Sequence, residues 1–169
     1  MNNQLKERSD RGFSLTELMI ALIIVGIIAA IISPNFLGLL NQIKVNNSLE
    51  QLLGAIRETQ RQAMRQGKLC RINLNPSTNV LTATPAGCLL NNRTIDDNVI
   101  IRTNIPGSTP NISFSYKGNT TKMGTIVLSS NLTDTQKCFA ISLGLGIMRT
   151  GNYIGSKTGS VSASNCQKE

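Results

Sequence analysis

The sequence has no histidine and no tryptophan, and its aromatic residues are limited to four Phe and two Tyr. Without histidine, Ser–His and Cys–His nucleophilic machinery is excluded, and the commonest zinc and iron ligand is missing. The four Cys form no CxxC pair, which argues against a zinc site. We therefore expect a chain that is not an enzyme and that holds no metal or other cofactor.

Charge is unevenly distributed along the chain. The formal net charge is +8, yet residues 18–43 contain no Asp, Glu, Lys or Arg. Residues 13–32 would form about 30 Å of helix, which matches the hydrocarbon thickness of a bilayer. Lys6, Arg8 and Arg11 precede this segment, so the N-terminus is predicted to stay in the cytoplasm while the rest is exported.

Three interpretations of this N-terminal segment compete. A secretory signal peptide would be removed after the apolar run, but no small-x-small cleavage site follows it. A plain single-pass anchor leaves Glu17 unexplained, because an unpaired carboxylate in a spanning helix costs roughly 2.5–3.5 kcal/mol. A cut after Gly12 would instead leave Phe13 with a free amine, which Glu17 of a neighbouring copy could neutralise.

The residues from Gly12 to Leu18, GFSLTEL, followed by an apolar helix, resemble the class III signal of type IV prepilins. The resemblance implies that a prepilin peptidase cuts after Gly12 and methylates the amine of Phe13. It also implies that Glu17 contacts the Phe13 amine of an adjacent subunit during assembly. Pro34 lies where such proteins carry a helix-kinking proline, and a proline removes one helical hydrogen bond in any context.

Helical periodicity continues beyond the apolar segment. One apolar stripe recurs at steps of four and three: Val45, Leu49, Leu52, Ile56, Thr59 and Ala63. Gly67 is the predicted stop. Arg57, Arg61 and Arg65 form a column beside this stripe, either as a solvated flank or as a contact strip for subunits or a polyanion.

The chain beyond Lys68 is rich in Thr, Ser, Asn and Gly, and short alternating runs predict β-strands. The predicted strands are residues 70–74, 80–84, 99–103, 112–116, 125–129, 138–142 and 147–153, with loops at 85–97 and 154–169. One helix followed by strands predicts an α+β fold with an antiparallel sheet packed on the C-terminal half of the helix. The predicted organisation is a leader at 1–12, a helix at 13–66 that is transmembrane over about 13–33, and a β-rich head at 67–169.

The four Cys allow three pairings, and an exported head would lie in an oxidising compartment. We favour Cys70–Cys88 and Cys138–Cys166, because each closes a local loop. Chain entropy makes each bridge worth roughly 3–4 kcal/mol. The second bridge would attach the C-terminal tail to a central strand.

The head resembles the H-type/FimT-type minor pilins in three segments, 112–118, 124–128 and 138–151. With the N-terminus, the resemblance spans most of the chain and implies the type IV pilin fold. Some FimT-type pilins bind DNA through a Gly-Arg-x-Arg motif. Here that segment is Gly146-Ile147-Met148-Arg149, so the first Arg is replaced by Ile147. Arg149 and Lys157 are the candidate DNA contacts.

These observations predict a minor pilin subunit that is processed by prepilin peptidase and supports pilus biogenesis, motility, adhesion or DNA uptake. The expected partners are other pilin subunits, prepilin peptidase and the inner membrane, with DNA as a further candidate. The expected location is the inner membrane, with a periplasmic head, and then a pilus or pseudopilus. Two alternatives remain: a DNA-binding receptor pilin for transformation and a minor pseudopilin of a type II secretion system.

Overall fold

The computed structural model describes Gly12 and residues 14–168, and within residues 31–35 it describes the backbone alone. The predicted leader is represented there only by Gly12. The chain divides into two compact units, residues 1–37 and 38–169. A single helix, α1, runs from Leu15 to Gln66 and contributes to both units. Pro34 lies inside α1 among the residues whose side chains are outside the description, so its kink stays a prediction.

The described part of the second unit contains nine strands in two antiparallel sheets. The strands are β1 (Cys70–Asn75), β2 (Val80–Thr84), β3 (Arg93–Thr94), β4 (Ile100–Thr103), β5 (Asn111–Phe114), β6 (Gly124–Ser130), β7 (Thr133–Ile141), β8 (Met148–Tyr153) and β9 (Cys166–Lys168). Sheet one has the order β3-β2-β1-β5, and sheet two has the order β4-β6-β7-β8-β9. The α+β fold class with an antiparallel head is therefore confirmed.

The core of the head forms between α1 and the inner faces of the sheets. Every residue of the predicted helical stripe is buried, from Val45 and Leu49 through to Ala63. Against the stripe pack strand residues such as Leu81, Ile126 and Phe139. Thr59 is tolerated there because its hydroxyl donates to the Ala55 carbonyl oxygen over 2.9 Å.

The helix ends where the sequence predicts. Gly67 has a φ of +62°, a left-handed conformation that glycine adopts without steric cost. Lys68 then donates its backbone N–H to the Ala63 carbonyl at 3.2 Å, which satisfies one of the last helical acceptors.

Two loop predictions were wrong in part. The stretch 85–97 contains β3, which pairs with β2, and the stretch 154–169 contains a 3-10 turn at Ala163–Asn165 followed by β9. Both strands have only two or three residues, and neither shows an alternating apolar pattern. Pairing with a neighbouring strand, rather than local sequence, places them.

The C-terminal tail covers part of the outer face of sheet two. A small second core lies there and is formed by Val127, Cys138, Tyr153 and Val161. The Tyr153 hydroxyl accepts the backbone N–H of Ser162 at 3.1 Å. Arg102 donates to the Gln136 side chain at 2.7 Å and lies 5.7 Å from the centre of the Tyr153 ring. The tail is therefore held by packing, hydrogen bonds and β9.

Candidate functional site

The first half of α1 exposes apolar side chains on all sides. From Leu15 to Ile28, every large apolar side chain is between 51% and 72% exposed. Neighbouring helical residues are about 100° apart, so consecutive apolar positions cannot share one face. A helix that is apolar all round is normally buried in protein or in a membrane. This segment therefore has the surface of a helix that packs against something outside its own chain.

Glu17 is exposed in the first turn of α1 and carries the only charge in that turn. Beside it, Leu18 donates its backbone N–H to the Ser14 carbonyl at 3.1 Å. The partial positive charge at a helix N-terminus favours a carboxylate in this position. Gly12 is exposed, whereas Phe13 and residues 1–11 lie outside the described residues. The cleavage, the methylation and the contact of Glu17 with an amine stay predictions.

Among the residues that the structure describes, no helical segment is long and apolar enough to span a membrane. The predicted span at about 13–33 includes Phe13 and the side chains of residues 31–33, which lie outside the description.

Arg57, Arg61 and Arg65 are all exposed on the second half of α1. The nearest acid of the helix, Glu58, is already engaged. It accepts the Arg93 guanidinium and the backbone N–H of Leu90, each at 2.8 Å. Within the described part of the chain, none of the three column arginines forms an ion pair with an acid.

The disulfides join Cys70 to Cys88 and Cys138 to Cys166, the two predicted pairings, with Cα–Cα distances of 5.6 and 5.8 Å. The first fixes the 85–88 segment beside the end of α1, where the Gln66 side chain also donates to the Gly87 carbonyl at 2.8 Å. The described residues hold no group of three or more Cys, Asp or Glu side chains that could bind a metal ion.

The structure does not bring the two candidate DNA contacts together. Arg149 lies on β8 opposite Ala140, near the end of β7. Lys157 lies at the other end of β7, where its ammonium donates to the Thr133 carbonyl and to Asp134, both at 2.8 Å. The pKa of Asp134 is lowered by the hydrogen bond and charge of Lys157. Ala140, opposite Arg149, and Thr133, which contacts Lys157, are seven positions apart on β7, which corresponds to about 23 Å.

Arg149 lines an open groove of about 470 Å³ on the outer face of sheet two. Met123, Leu143 and Ile147 line it too and are 68%, 60% and 56% exposed. The Thr125 hydroxyl, also in the lining, is buried and has no hydrogen-bond partner among the described residues. The sequence analysis did not predict this groove. Three aliphatic residues within 143–147, in an otherwise polar head, could have indicated an apolar surface there.

Comparison with known proteins agrees with these features. Residues 8–33 match a family model described as the prokaryotic N-terminal methylation motif. No curated protein matches the chain. Two crystal structures of the type IV minor pilin FimU from Pseudomonas aeruginosa PAO1 are similar to it, each at 14% identity over 62% of this chain. They give TM-scores of 0.52 and 0.51 and are covered over 86% and 90% of their own length.

A third structure, the minor pseudopilin EpsH from the type 2 secretion system of Vibrio cholerae, gives a TM-score of 0.48 at 13% identity, over 66% of this chain and 96% of that one. The chain therefore carries an N-terminal methylation motif, and its fold is similar to that of the type IV minor pilin FimU.

Proposed function

We propose that this chain is a minor subunit of a type IV pilus that assembles through its N-terminal helix. The observation that carries the proposal is the helical segment from Leu15 to Ile28, which is exposed and apolar on every side and begins beside Gly12. Burial in a bilayer or among other helices stabilises each such side chain by roughly 1.5–3 kcal/mol. The same surface therefore serves membrane retention before assembly and helix packing after it.

In the proposed mechanism, prepilin peptidase cuts after Gly12 and methylates the new amine of Phe13. Glu17 of one subunit then neutralises the Phe13 amine of its neighbour as the helix leaves the lipid. Without a partner, a carboxylate at that depth costs several kcal/mol, so pairing favours the assembled state. The methylation motif over residues 8–33 supports the processing step.

Processing is tested by the mass of the N-terminal peptide from the native protein. The expected peptide begins with N-methylated Phe13. Gly12→Ala should leave the leader attached and give a longer chain in the membrane fraction. A mature band of unchanged mobility from Gly12→Ala would contradict the assigned cut site.

DNA binding is a second candidate function, and one observation favours it: Arg149 is exposed and forms no ion pair with the described acids. Lys157, by contrast, is held by Asp134 and Thr133. Two or three phosphate contacts would give a salt slope of only about −2 to −3. The head, residues 38–169, contains its own buried core and can be tested alone. Gel retardation at low salt that Arg149→Ala weakens would support DNA binding, and no retardation would remove it.

A pilus subunit and a secretion pseudopilin differ in phenotype rather than in any residue described above. A deletion scored in parallel for piliation, twitching, transformation and protein secretion separates them. Loss of piliation or twitching with normal secretion supports the proposal. Loss of secretion with intact piliation would assign the chain to a type II secretion system instead.

A further inference from the structure

The groove on the outer face of sheet two has the chemistry of a protein-docking site. Its exposed side chains are mainly aliphatic, and Arg149 is the single charged residue among the described residues that line it. The buried Thr125 hydroxyl lacks a hydrogen-bond partner in the described part of the chain. Arg149 is exposed and forms no ion pair with the described acids, so it favours an occupant that brings a carboxylate. The preferred occupant is therefore a short segment with an aliphatic side chain and a carboxylate.

Such a segment exists at the other end of the same sheet. The end of the β6–β7 hairpin, residues 131–134 and here called the 131–134 turn, carries Leu132, which is 61% exposed, and Asp134 at the start of β7, whose side chain is fully exposed. Lys157 contacts Asp134 at Oδ1, and among the described residues no hydrogen bond or ion pair engages the other carboxylate oxygen. This turn thus presents one aliphatic and one acidic group, complementary to the groove.

A single copy cannot insert this turn into its own groove. β7 begins at Thr133, beside the turn, and ends at Ile141, which lines the groove. Thr133 and Ile141 are eight positions apart along that strand, which corresponds to about 27 Å. The turn and the groove can therefore meet only between different copies.

The two ends of the head also lie at different heights along α1. An atom at the Cβ position of Gly38 would lie 3.8 Å from the Leu132 carbonyl oxygen. At the groove end, the neighbours of Gly146 include Gln60. Helix residues 38 and 60 are about 33 Å apart at 1.5 Å per residue. A contact from turn to groove therefore stacks copies along the direction of the helix.

We propose that the 131–134 turn of one copy docks in the groove of a second copy, with Leu132 against Ile147 and Asp134 paired with Arg149. Such a head-to-tail contact is heterologous and does not close, so it can extend a chain of subunits. It lies beyond the proposed function, because it joins heads and needs neither cleavage at Gly12 nor Glu17. The aliphatic lining and its single cation favour this occupant over a nucleic acid, which needs several cations.

Site-specific photo-crosslinking of the full-length chain in membrane vesicles tests the contact. A benzophenone amino acid replaces Leu132, and the same group at exposed Leu90 is the control. The expected product is a covalent dimer whose crosslink maps to residues 123–147 of the second copy. Absence of that dimer above the Leu90 control overturns the proposal. So does a crosslink from position 132 to a different protein, because the occupant is then not a second copy.

Charge reversal tests the ion pair in the same assay. Asp134→Arg and Arg149→Asp should each lower the dimer yield by about fivefold, the size of an exposed pair. The double variant should restore the dimer yield. A mixture of the two single variants offers only one complementary pair of surfaces, so it should form dimers but no longer chains. Lys157→Ala, which frees Asp134, should keep or raise the yield. The pairing is contradicted if the single reversals leave the dimer yield unchanged, or if the double variant does not restore it. If the head retards DNA and Arg149→Gln abolishes that retardation, the groove is assigned to nucleic acid instead.

Discussion

The bridge between Cys138 and Cys166 attaches the C-terminal tail to the middle of sheet two, and its removal has a predictable cost. The two cysteines are separated by 28 residues. For a loop of that length, lost chain entropy in the unfolded state corresponds to roughly 3.6 kcal/mol of stability. Replacing both residues by alanine should lower the free energy of unfolding by about that amount, or the melting temperature by ~10 °C.

The structure also predicts where the head opens first. Without the bridge, the tail is held by the three-residue edge strand β9, by Val161 in the small second core and by the hydrogen bond from Ser162 to Tyr153. Edge strands of that length contribute little by themselves. Exchange of the Ile154 amide, which donates to Asn165 at 2.9 Å, should therefore accelerate beyond the global loss.

The matched control removes Cys70 and Cys88, which are 18 residues apart and are worth about 3.2 kcal/mol in the same treatment. Urea unfolding of residues 38–169 gives the global cost for both double variants, and native-state hydrogen exchange locates the local opening. Both double variants should lose a similar free energy of unfolding, and the tail should open in the variant without Cys138 and Cys166 alone. A loss below about 1 kcal/mol, or equal protection of Ile154 in both variants, would refute the entropic argument.

Three further predictions concern the head. Leu52→Ala should lower the free energy of unfolding by roughly 2–5 kcal/mol, because Leu52 is buried against both sheets. The control Leu90→Ala changes a surface residue and should alter the free energy of unfolding by less than about 0.5 kcal/mol. Equal urea midpoints for the two variants would contradict this packing. Glu58→Gln should release the 90–93 segment, because Glu58 holds Leu90 and Arg93, and faster exchange of the Leu90 amide checks this. The pKa of Asp96 lies below its ordinary 3.8, mainly because the Asn98 N–H donates to it. The stabilisation from the ionised Asp96 side chain is therefore complete above pH 3.8, and it is lost as the pH falls through the lower pKa of the folded state. The urea midpoints of Asp96→Asn and the parent should differ at pH 7 and converge below pH 3.8, and a constant difference would contradict this.

The main features of the fold follow from local patterns in the sequence. The helical stripe from Val45 to Ala63 could be predicted because burial on one face of a helix repeats every three or four residues. The turn at residues 75–79 could be predicted from its residues, since the Asn75 side chain accepts the backbone N–H groups of Ser77 and Thr78. The positions of β3 and β9 could not, because strands this short are placed by their partners.

The candidate DNA contacts show the same limit at the level of a site. Arg149 and Lys157 are close in sequence but lie at opposite ends of sheet two. β8 runs antiparallel to β7, so the chain carries Lys157 to the end of the sheet where Thr133 begins β7. The groove depends on tertiary structure in a similar way, because Met123, Ile147 and Ala163 come from three separate segments.

The central claim, assembly through the N-terminal helix with Glu17 as the partner of a neighbouring amine, is tested most directly by Glu17→Gln. The matched control is Glu50→Gln, an equal change at an exposed acid further along the same helix. Removing one partner of a buried ion pair costs roughly 3–5 kcal/mol, so incorporation into sheared filaments should fall by about 100-fold or more. The amount in the membrane fraction should not change, and Glu50→Gln should incorporate like the parent. Equal incorporation of the two variants would contradict the account.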